Sequence, residues 1–449
     1  MPATPRPRSP AKRRPADLAL RYSFQTMPPI AQRPRGTQDL LPAEQPYWDG
    51  MSGAAKDLAE RFGYLRIETP TFEATELFVR AVGEASDIVS KEMFTFKDRG
   101  DRSLTLRPEG TAPIVRAYFD AGMQLEPQPV RLYYLGPYFR SERPQRGRFH
   151  EFRQFGIEAI GDPSPLLDVE AIVLGWSWFS ALDTGGIHLL LNSIGDEVCR
   201  PAYRELLRDY YRPHLAELSA ESRMRFEKNP LRLFDSKEPQ DQELKLKAPR
   251  IVDHLCQPCA EAFQAVREGL SAEAIPFTLN PELVRGLDYY TRTVFEYQHE
   301  SLGGAQNALG GGGRYDGLAA ALGYRTTPGV GFAIGLDRTA MVLRERKPLA
   351  PPVPDVWALA VDPKDELYVF HLAGTLRARG LRVVVDPGAA RLDAKLRKAA
   401  KRGARVALLV GPEEREKGEA VVRDMRLKTQ VSVAEREVLP TVTQTLSAG

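Results

Sequence analysis

The spacing of hydrophobic and polar residues changes along the chain and predicts separate structural units. From Pro28 to about Gly185, amphipathic runs alternate with short β-rich runs. Helical spacing covers Tyr47 to Phe62, and an apolar β-prone run covers Val130 to Phe139. This alternation is typical of an α/β or α+β body.

A second pattern interrupts this body. Between about Ser193 and Ile275 the sequence becomes helical and charged, with Ala202 to Tyr211 and Ala260 to Glu268 as candidate helices. Strand-like, glycine-rich sequence resumes from Phe277 to about Leu343. We therefore expect a helical insertion, at about residues 195–275, that splits one body into two segments of sequence.

A third pattern follows a linker at residues 347–354, which contains four prolines and is typical of an extended spacer. Helical stretches near Glu366 to Arg379 and Arg391 to Arg402 alternate with apolar runs at Val356 to Val361, Leu381 to Val385 and Val406 to Val410. This order predicts βαβ units in a small α/β domain, residues 355–449.

The second helix of that domain carries many basic residues. Helical geometry places an apolar stripe at Leu392, Leu396, Ala399 and Ala400. The basic residues point largely elsewhere: Arg391, Lys395, Arg397, Lys398, Lys401 and Arg402. A solvated helix face and an RNA-binding face explain this pattern equally well.

Length and composition limit the class of protein. At 449 residues the chain is too long for one ordinary core. Its net charge of +3 falls short of the cationic surface of proteins that coat nucleic acid. Three cysteines cannot form a disulfide framework, and no apolar run reaches the roughly 18 residues of a membrane span. We expect a multidomain cytoplasmic protein that binds neither DNA nor membrane.

Residues 1–27 differ from the rest of the chain. They are rich in Pro, Arg and Ala and lack the apolar core of a secretory signal, which predicts a disordered basic tail. A solvated tail and an RNA-binding arm both fit this composition, and Met27 is an alternative start.

Candidate chemistry is concentrated in a predicted hairpin. Val130 to Arg140 forms the outgoing strand, Ser141 to His150 a polar loop, and Glu151 to Ile160 the returning strand. On the returning strand, Gln154 and Glu158 share a face because side chains alternate with period two. Guanidinium groups bind phosphate oxygens well, and four of them fall at the strand end and in the loop: Arg140, Arg143, Arg146 and Arg148. Exposed salt bridges are the alternative explanation.

Four further segments carry polar or glycine-rich patterns. Glu109-Gly110-Thr111 ends a strand in a turn whose carboxylate and hydroxyl can hold an ammonium group, or Thr111 can cap a helix. Residues 283–297 carry Tyr289 and Tyr290 ahead of a β-prone run, which also fits an edge strand with exposed tyrosines. Four consecutive glycines at 310–313 allow close backbone approach to a ligand, or form a surface loop. Arg338 stands where an apolar strand passes into a helix, a position that favours a bound phosphate.

Together these segments resemble class II aminoacyl-tRNA synthetases, and more narrowly histidyl-tRNA synthetases, from about Arg33 to the C-terminus. The residues at 140–145 and 148–158 resemble the second motif of the class, and those at 331–338 its third. Leu-Val-Arg-Gly-Leu-Asp-Tyr-Tyr at 283–290 and Gly-Gly-Gly-Arg-Tyr-Asp at 311–316 resemble the two histidine-specific motifs.

The resemblance implies an α+β fold. It consists of a class II antiparallel-sheet catalytic domain at residues 28–346, interrupted by the helical insertion, and a C-terminal α/β anticodon-binding domain. Its implied activity is the ATP-dependent formation of histidyl-adenylate and the transfer of histidine to the 3′-terminal adenosine of histidine tRNA. Mg²⁺ is the implied cofactor with ATP, and a homodimer is implied through the first motif, around Phe62 to Phe72.

The resemblance also implies roles for individual residues. Glu109, Thr111 and Gln154 would hold the α-amino group of histidine, Glu158 and Tyr290 would bind its imidazole, and Arg285 would bridge its carboxylate and the α-phosphate. The histidine-binding residues in full are Glu109, Gly110, Thr111, Arg140, Gln154, Glu158, Arg285, Tyr289, Tyr290 and Tyr315. ATP would bind Arg140, Arg148 and Arg338. Arg140 and Arg285 are the implied catalytic cations, and Arg143 with Gln145 would contact the tRNA acceptor end.

Two alternatives keep the fold without the activity: a regulatory subunit of histidine biosynthesis, and a sensor of uncharged tRNA. The first is expected to lack the C-terminal RNA domain and to lose the arginine motifs, which this chain keeps. Cys256 and Cys259 have the spacing of zinc ligands, but a closed site needs four ligands and only Cys199 and scattered histidines remain. We therefore interpret the cysteines as structural thiols and assign no metal site.

Overall fold

Two segments of the chain build the first domain. The computed structural model describes residues 32–448 except 84, 85, 87, 144, 237, 285, 286, 288, 304–306 and 389, and the predicted tail at 1–27 lies outside these residues. The first segment contains α1 (Gln45–Arg61), β1 (Leu65–Arg66), β2 (Phe72–Ala74), α2 (Thr75–Val82), β3 (Thr95–Lys97), β4 (Ser103–Leu106), α3 (Thr111–Asp120), β5 (Val130–Phe139), β6 (Glu151–Ile160), α4 (Pro165–Ala181) and β7 (Ile187–Ser193).

Helices follow, where the charged helical pattern predicted them: α5 (Arg200–Tyr211), α6 (Ala220–Lys228), α7 (Pro239–Lys247) and α8 (Gln257–Ala272). Helices α5 to α7 and their connections have their own core, which includes Tyr203, Leu207 and Phe226. Helix α8 instead contributes Phe263 and Val266 to the core of the first domain. The amphipathic helix α8 therefore fastens the inserted helices to the body.

The second segment of the first domain contains β8 (Thr278–Leu279), β9 (Thr291–His299), β10 (Ala308–Arg314), α9 (Leu318–Ala321), β11 (Gly329–Gly335) and α10 (Leu336–Arg346). An eight-stranded sheet joins both segments in the order β1-β5-β6-β11-β10-β9-β7-β8. Its six inner strands are antiparallel, whereas β1 and β8 pair in parallel with their neighbours. Strands β2, β4 and β3 form a separate small sheet.

Side chains alternate between the two faces of the large sheet. Phe155 and Ile157 of β6 belong to the core beneath α1, α4, α8 and α10. Ile160 of the same strand and Tyr134 of β5 belong to the core on the opposite face, which is shared with α2, α3 and α9. Gln154 and Glu158 are separated from Ile160 by an even number of residues, so they lie on this second face, as the period-two pattern predicted.

The C-terminal domain contains β12 (Val356–Ala360), α11 (Glu366–Arg377), β13 (Val383–Asp386), α12 (Leu392–Lys401), β14 (Val406–Val410), α13 (Pro412–Lys417), β15 (Glu419–Asp424), β16 (Gln430–Ala434) and α14 (Val438–Ser447). Its sheet has the order β13-β12-β14-β15-β16, parallel in its first three strands and antiparallel in the rest. None of the helices in the described ranges combines the length and apolar character that a bilayer crossing requires.

The predicted apolar stripe of α12 was wrong at two positions. Lys395 is buried and donates a hydrogen bond from Nζ to the carbonyl oxygen of Ala360, at 2.9 Å. Ala400 is exposed. The buried face follows the i, i+3, i+4, i+7 spacing through Leu392, Lys395 and Ala399, so a lysine occupies a position that its charge alone would assign to solvent.

Candidate active site

A cavity of about 240 Å³ opens on the face of the large sheet that carries α3. It is lined by residues from both segments of the first domain. Most of the predicted site residues that the structure describes line it: Glu109, Gly110, Thr111, Arg140, Arg148, Gln154, Tyr289, Tyr290, Tyr315 and Arg338. Ligand sites are usually concave and combine apolar walls with a few converging polar groups, and this cavity fits that description.

Glu109 caps helix α3 at one wall of the cavity. Its carboxylate accepts hydrogen bonds from the backbone N–H groups of Thr111 (2.8 Å) and Ala112 (3.0 Å). Burial raises the pKa of Glu109, and these two bonds and the guanidinium of Arg140 oppose the rise. The sequence left open that Thr111 caps this helix, but the side chain that caps it is Glu109. These hydrogen bonds also hold the Glu109 carboxylate in one orientation.

Glu158 lies immediately behind this wall. Its carboxylate accepts hydrogen bonds from the hydroxyl groups of Thr111 (2.8 Å), Tyr315 (2.6 Å) and Tyr134 (3.3 Å). Burial raises the pKa of Glu158 to about 8, although the bonds from Tyr315 and Thr111 favour the ionised form. Glu158 is not part of the cavity lining, so its carboxyl group acts on the cavity through the hydroxyl groups that it orients.

Gln154 presents an acceptor to the cavity. Its side-chain oxygen Oε1 is buried, and no donor in the described part of the chain reaches it. Buried acceptors are rarely left without a donor, so this oxygen marks a position where a ligand N–H group is expected.

The tyrosines of residues 283–297 are buried, and the edge-strand alternative was wrong. Tyr289 and Tyr290 are 8% and 6% exposed, and β9, which follows them, lies between β10 and β7. The Tyr289 hydroxyl lies 3.4 Å from Glu109 Oε2, and the ring centroids of Tyr289 and Tyr315 are 6.0 Å apart. These rings enclose the end of the cavity where the carboxyl groups lie.

The glycine run forms strand β10 inside the sheet, so the surface-loop alternative was also wrong. A Cβ atom at Gly312 would lie 2.0 Å from the carbonyl oxygen of Gly331 on the neighbouring strand. Gly310 and Gly311 line the cavity, whereas Gly312 and Gly313 do not. The glycines therefore permit close strand packing at some positions and leave room for a ligand at others.

Three arginines line the same cavity: Arg140, Arg148 and Arg338. Arg140 and Arg148 share Glu142 as counter-ion, at 3.8 Å and 2.6 Å. Arg338, in the first turn of α10, donates to the carbonyl oxygens of Ala308 (2.6 Å) and Gly147 (3.1 Å). Burial lowers the pKa of Arg338, and the charge of Arg148 lowers it further. Like charges held together in this way form a site for a polyanion.

The cavity lining includes residues next to both ends of strand β10. Arg338 contacts Ala308 at the start of β10, and Tyr315 follows Arg314 at its end. The seven residues of β10 span about 20 Å of extended chain, so Arg338 and Tyr315 belong to opposite ends of this strand. Arg140 lies nearer the carboxyl wall, because its Nε donates to the carbonyl oxygen of Pro108, the neighbour of Glu109.

Some predicted residues lie elsewhere. Arg285 falls outside the described residues. Arg143 and Gln145 are exposed in the hairpin loop, away from the cavity lining. Arg146 forms an exposed ion pair with Glu345 at 2.8 Å, as the salt-bridge alternative proposed for this loop.

Sequence reasoning missed the groups that support the site. Arg314 is 2% exposed and pairs with buried Asp168 of α4, with Nε 3.1 Å from Oδ2. Tyr134 lines the cavity and reaches Glu158. These contacts join residues far apart in sequence, and the only local signal was a charged residue inside an apolar run.

An antiparallel sheet that holds buried carboxyl groups and converging arginines on one face, followed by a small α/β domain, defines a class II aminoacyl-tRNA synthetase. The family model described as histidyl-tRNA synthetase matches residues 36–339, and one described as an anticodon binding domain matches residues 355–445. The chain belongs to the histidyl-tRNA synthetase family, whose members are ATP-dependent ligases.

Individual relatives agree with this assignment. The chain is 48% identical to the histidine–tRNA ligase of Desulforudis audaxviator over 90% of its own length and 97% of the relative. It is 47% identical to the histidine–tRNA ligase of Moorella thermoacetica over 90% of its length and 96% of the relative. Among solved structures, the apo histidyl-tRNA synthetase of S. aureus is 32% identical, with a TM-score of 0.78 over 92% of this chain and 100% of that one.

Proposed function

We propose that the chain activates histidine with ATP to give histidyl-adenylate and pyrophosphate, and then transfers histidine to the 3′-terminal adenosine of histidine tRNA with release of AMP. One observation carries the proposal: a single cavity is lined by tyrosines and the Glu109 carboxyl group together with three arginines. An amino acid and a nucleoside triphosphate can therefore lie side by side within one site.

The α-amino group of histidine would bind where Glu109, Thr111 and Gln154 meet. An ammonium group offers three donors, and Gln154 Oε1 is a buried acceptor without a donor among the described residues. The Glu109 carboxylate accepts two backbone N–H groups and is fixed in place, so it supplies a preorganised acceptor with negative charge.

The imidazole of histidine would lie against Tyr289, Tyr290 and Tyr315. An imidazole offers one N–H donor and one acceptor nitrogen, which matches a wall of hydroxyl groups polarised by a carboxyl group. The imidazole can contact Glu158 directly only if the hydroxyl group of Tyr315 or Thr111 moves away, because both hydroxyl groups lie between Glu158 and the cavity.

The triphosphate would lie against the three arginines as the magnesium complex of ATP. Arg140 is assigned to the α-phosphate, and Arg148 and Arg338 to the β- and γ-phosphates. Glu142 lies among these guanidinium groups, and carboxylate oxygens are the ligands that Mg²⁺ prefers. Glu142 thus fits a position next to the metal-bound phosphates.

The first step is attack of the histidine carboxylate on the α-phosphorus, with pyrophosphate as the leaving group. Positioning and electrostatic stabilisation account for most of the catalysis of such displacements, and fixed guanidinium groups provide both. Arg140 is held by a hydrogen bond from Nε to the carbonyl oxygen of Pro108, at 2.9 Å. The role of Arg285, which lies outside the described residues, rests on the resemblance.

The tRNA would contact two parts of the chain. Arg143 and Gln145 are exposed at the hairpin tip and are assigned to the acceptor end. The C-terminal domain is assigned to the anticodon, and the exposed basic residues of α12, such as Arg397, are candidates for this contact. We assign the activity to the cytoplasm because three cysteines suit a reducing compartment.

We further propose a homodimer formed around the first motif. Strand β1 is an edge strand whose Leu65 is 71% exposed, and Phe72 of β2 is 49% exposed. Exposed apolar residues beside an unpaired strand edge are typical of a surface covered by another chain.

Histidine-dependent exchange of labelled pyrophosphate into ATP tests the proposal. We expect exchange by the wild type and a roughly 10- to 100-fold lower kcat/KM for ATP in Arg338→Ala, because a charge-assisted phosphate contact contributes about 1.5–3 kcal/mol. Arg146→Ala is the matched control, since that arginine is 76% exposed and pairs only with Glu345 among the described contacts.

The alternatives give different results in the same assay. A wild-type chain that binds histidine without any exchange supports a regulatory subunit and contradicts the proposal. Exchange without charging of histidine tRNA contradicts the second step alone.

A further inference from the structure

Three cysteines and one aspartate meet where the inserted helices join the body. These residues, here named the thiol cluster, are Asp196, Cys199, Cys256 and Cys259, and one ligand atom from each lies within 4.8 Å of all the others. We propose that the thiol cluster binds a zinc ion, which clamps the two ends of the insertion together. The three cysteines were left without a fourth ligand in the sequence, and Asp196 supplies it.

The distances in the thiol cluster suit a tetrahedral site. Zn–S bonds of about 2.3 Å place two sulfur atoms about 3.8 Å apart in a tetrahedron, and a sulfur and a carboxylate oxygen about 3.6 Å apart. Sγ of Cys199 lies 3.9 Å from Sγ of Cys259. Oδ1 of Asp196 lies 3.5 Å from Sγ of Cys199 and 3.8 Å from Sγ of Cys256. An ion can therefore be placed among the four atoms without a change of fold.

The chain presents the ligands as two short chelating pairs. Asp196 and Cys199 are separated by two residues, as are Cys256 and Cys259, and this spacing is common in zinc sites. Thiolates are soft ligands and zinc accepts a mixture of sulfur and carboxylate oxygen, so the ligand set favours zinc over magnesium or calcium.

A cationic neighbour balances the charge of the site. Arg292 lies 3.3 Å from Oδ2 of Asp196, which leaves Oδ1 directed to the thiols. The Arg292 backbone N–H donates to the carbonyl oxygen of Gly195 at 2.7 Å, so β9 and the ligand loop are joined twice. Three thiolates and a carboxylate exceed the charge of Zn²⁺, and an outer guanidinium that orients the carboxylate stabilises such a site.

A disulfide explains the cluster less well. Cys199 and Cys259 have sulfur atoms 3.9 Å apart, whereas a disulfide needs about 2.05 Å. Pairing any two of the three cysteines would also leave the third thiol, and Asp196, without a function in the cluster. A metal uses all four groups.

The position of the cluster indicates what the metal does. Asp196 and Cys199 lie between β7 and α5, where the chain enters the inserted helices, and Cys256 and Cys259 begin α8, where it returns. Arg200, next to Cys199, donates to the carbonyl oxygen of Tyr290 at 2.8 Å. The clamp therefore also braces the segment that carries the cavity tyrosines.

Metal analysis of the full-length protein, produced without a polyhistidine tag in zinc-supplemented medium, tests the proposal. We expect about one zinc per chain, because the four ligands complete a single tetrahedral site. The paired substitution Cys256→Ser and Cys259→Ser should lose this zinc. His254→Gln is the matched control, since His254 is exposed on the same segment and outside the cluster, and it should keep the metal.

Three further measurements guard against a variant that fails to fold. Asp196→Cys should keep the zinc, because it replaces one zinc ligand with another. Wild-type protein loaded with Co²⁺ in place of zinc should show the strong visible bands of a tetrahedral thiolate site, and a chelator should increase the number of thiols that react with a thiol reagent. These readouts need no substrate, so they do not depend on the proposed function.

Two results would overturn the proposal. One is wild-type protein with neither zinc nor tetrahedral cobalt bands, and three thiols that react equally with and without chelator. The other is a folded Cys256→Ser, Cys259→Ser protein that keeps its full zinc content.

Discussion

Substitution of Gly331 by alanine should disturb the part of the cavity proposed to bind histidine, because Gly331 packs against Glu158. A Cβ atom at this position would lie 2.0 Å from Glu158 Oε2 and 2.2 Å from the carbonyl oxygen of Ile157. Favourable contacts need about 3.5 Å or more. Gly331 pairs directly with Glu158 in the sheet, so a rotamer change of one side chain cannot relieve both contacts. Strands β11 and β6 must therefore move apart to relieve the contact with Ile157, and Glu158 must leave its hydrogen bonds.

The size of the effect follows from these contacts. Overpacking a core costs about 1–3 kcal/mol. A buried group that loses a hydrogen-bond partner costs a further 1–3 kcal/mol or so, and Glu158 has close partners in Thr111 and Tyr315. We expect Gly331→Ala to lower the free energy of unfolding by about 3 kcal/mol. We also expect the KM for histidine to rise at least about tenfold, which corresponds to roughly 1.4 kcal/mol.

Urea unfolding followed by tryptophan fluorescence measures the first effect, and pyrophosphate exchange at varied histidine measures the second. Gly53→Ala is the matched control in the same domain. Gly53 is exposed in α1, and nothing lies within 4 Å of a Cβ atom there, so this change should stabilise the helix by about 0.5–1 kcal/mol. A Gly331→Ala protein within about 0.5 kcal/mol of wild type, with an unchanged KM for histidine, would refute the reasoning.

Three further predictions concern the carboxyl group, the buried ion pair and the linker. The pKa of Glu158 in the folded protein, about 8, lies above the ordinary glutamate value of 4.5, so the folded protein holds a proton that the unfolded chain releases. The contribution of this protonation to the free energy of unfolding is present below about pH 4.5 and is lost as the pH rises to about 8, with an upper limit of about 5 kcal/mol. Glu158→Gln should therefore reduce the fall of the urea midpoint between about pH 4.5 and about pH 8. An equal fall in the variant and the wild type would contradict the assigned pKa. Asp168→Ala should lower the free energy of unfolding by up to about 3–5 kcal/mol, because it leaves the buried Arg314 with Asp316, at 3.3 Å, as its remaining carboxylate partner among the described contacts. A loss below about 1 kcal/mol in urea unfolding would show that Asp316 alone balances the charge of Arg314. Truncation after Lys347 should leave measurable pyrophosphate exchange but sharply weaken aminoacylation, because the last domain has its own core; unchanged aminoacylation would exclude its role in binding tRNA.

Local patterns predicted much of the fold. The returning strand at Glu151–Ile160 was predicted at the bounds that the structure has, and the outgoing strand, predicted to end at Phe139 or Arg140, ends at Phe139. The βαβ order after the linker was also confirmed. These elements are encoded by the spacing of neighbouring residues, which a sequence displays directly. The parity of Gln154 and Glu158 followed for the same reason, since it depends only on strand geometry.

The site was predicted as a set of residues, and its internal arrangement was not. Motif resemblance brought Glu109, Arg140 and Arg338 into one group, and the structure places all three around one cavity. Two features of the site were not predicted: Glu109 caps α3, and Glu158 lies behind Thr111. They depend on how β6 pairs with β5 and β11. Strand register across the sheet is set by contacts between distant segments, which no local pattern contains.

By itself, then, the sequence determined the order of elements, the two domains and the residues available for chemistry, because each depends on near neighbours. Tertiary structure alone decided which of these residues meet. It buried Arg314 against Asp168 and placed Asp196 among three cysteines. The physical reason is common to both cases: a buried charge or ligand acquires its role from partners that folding brings within a few ångströms, and those partners come from distant parts of the chain.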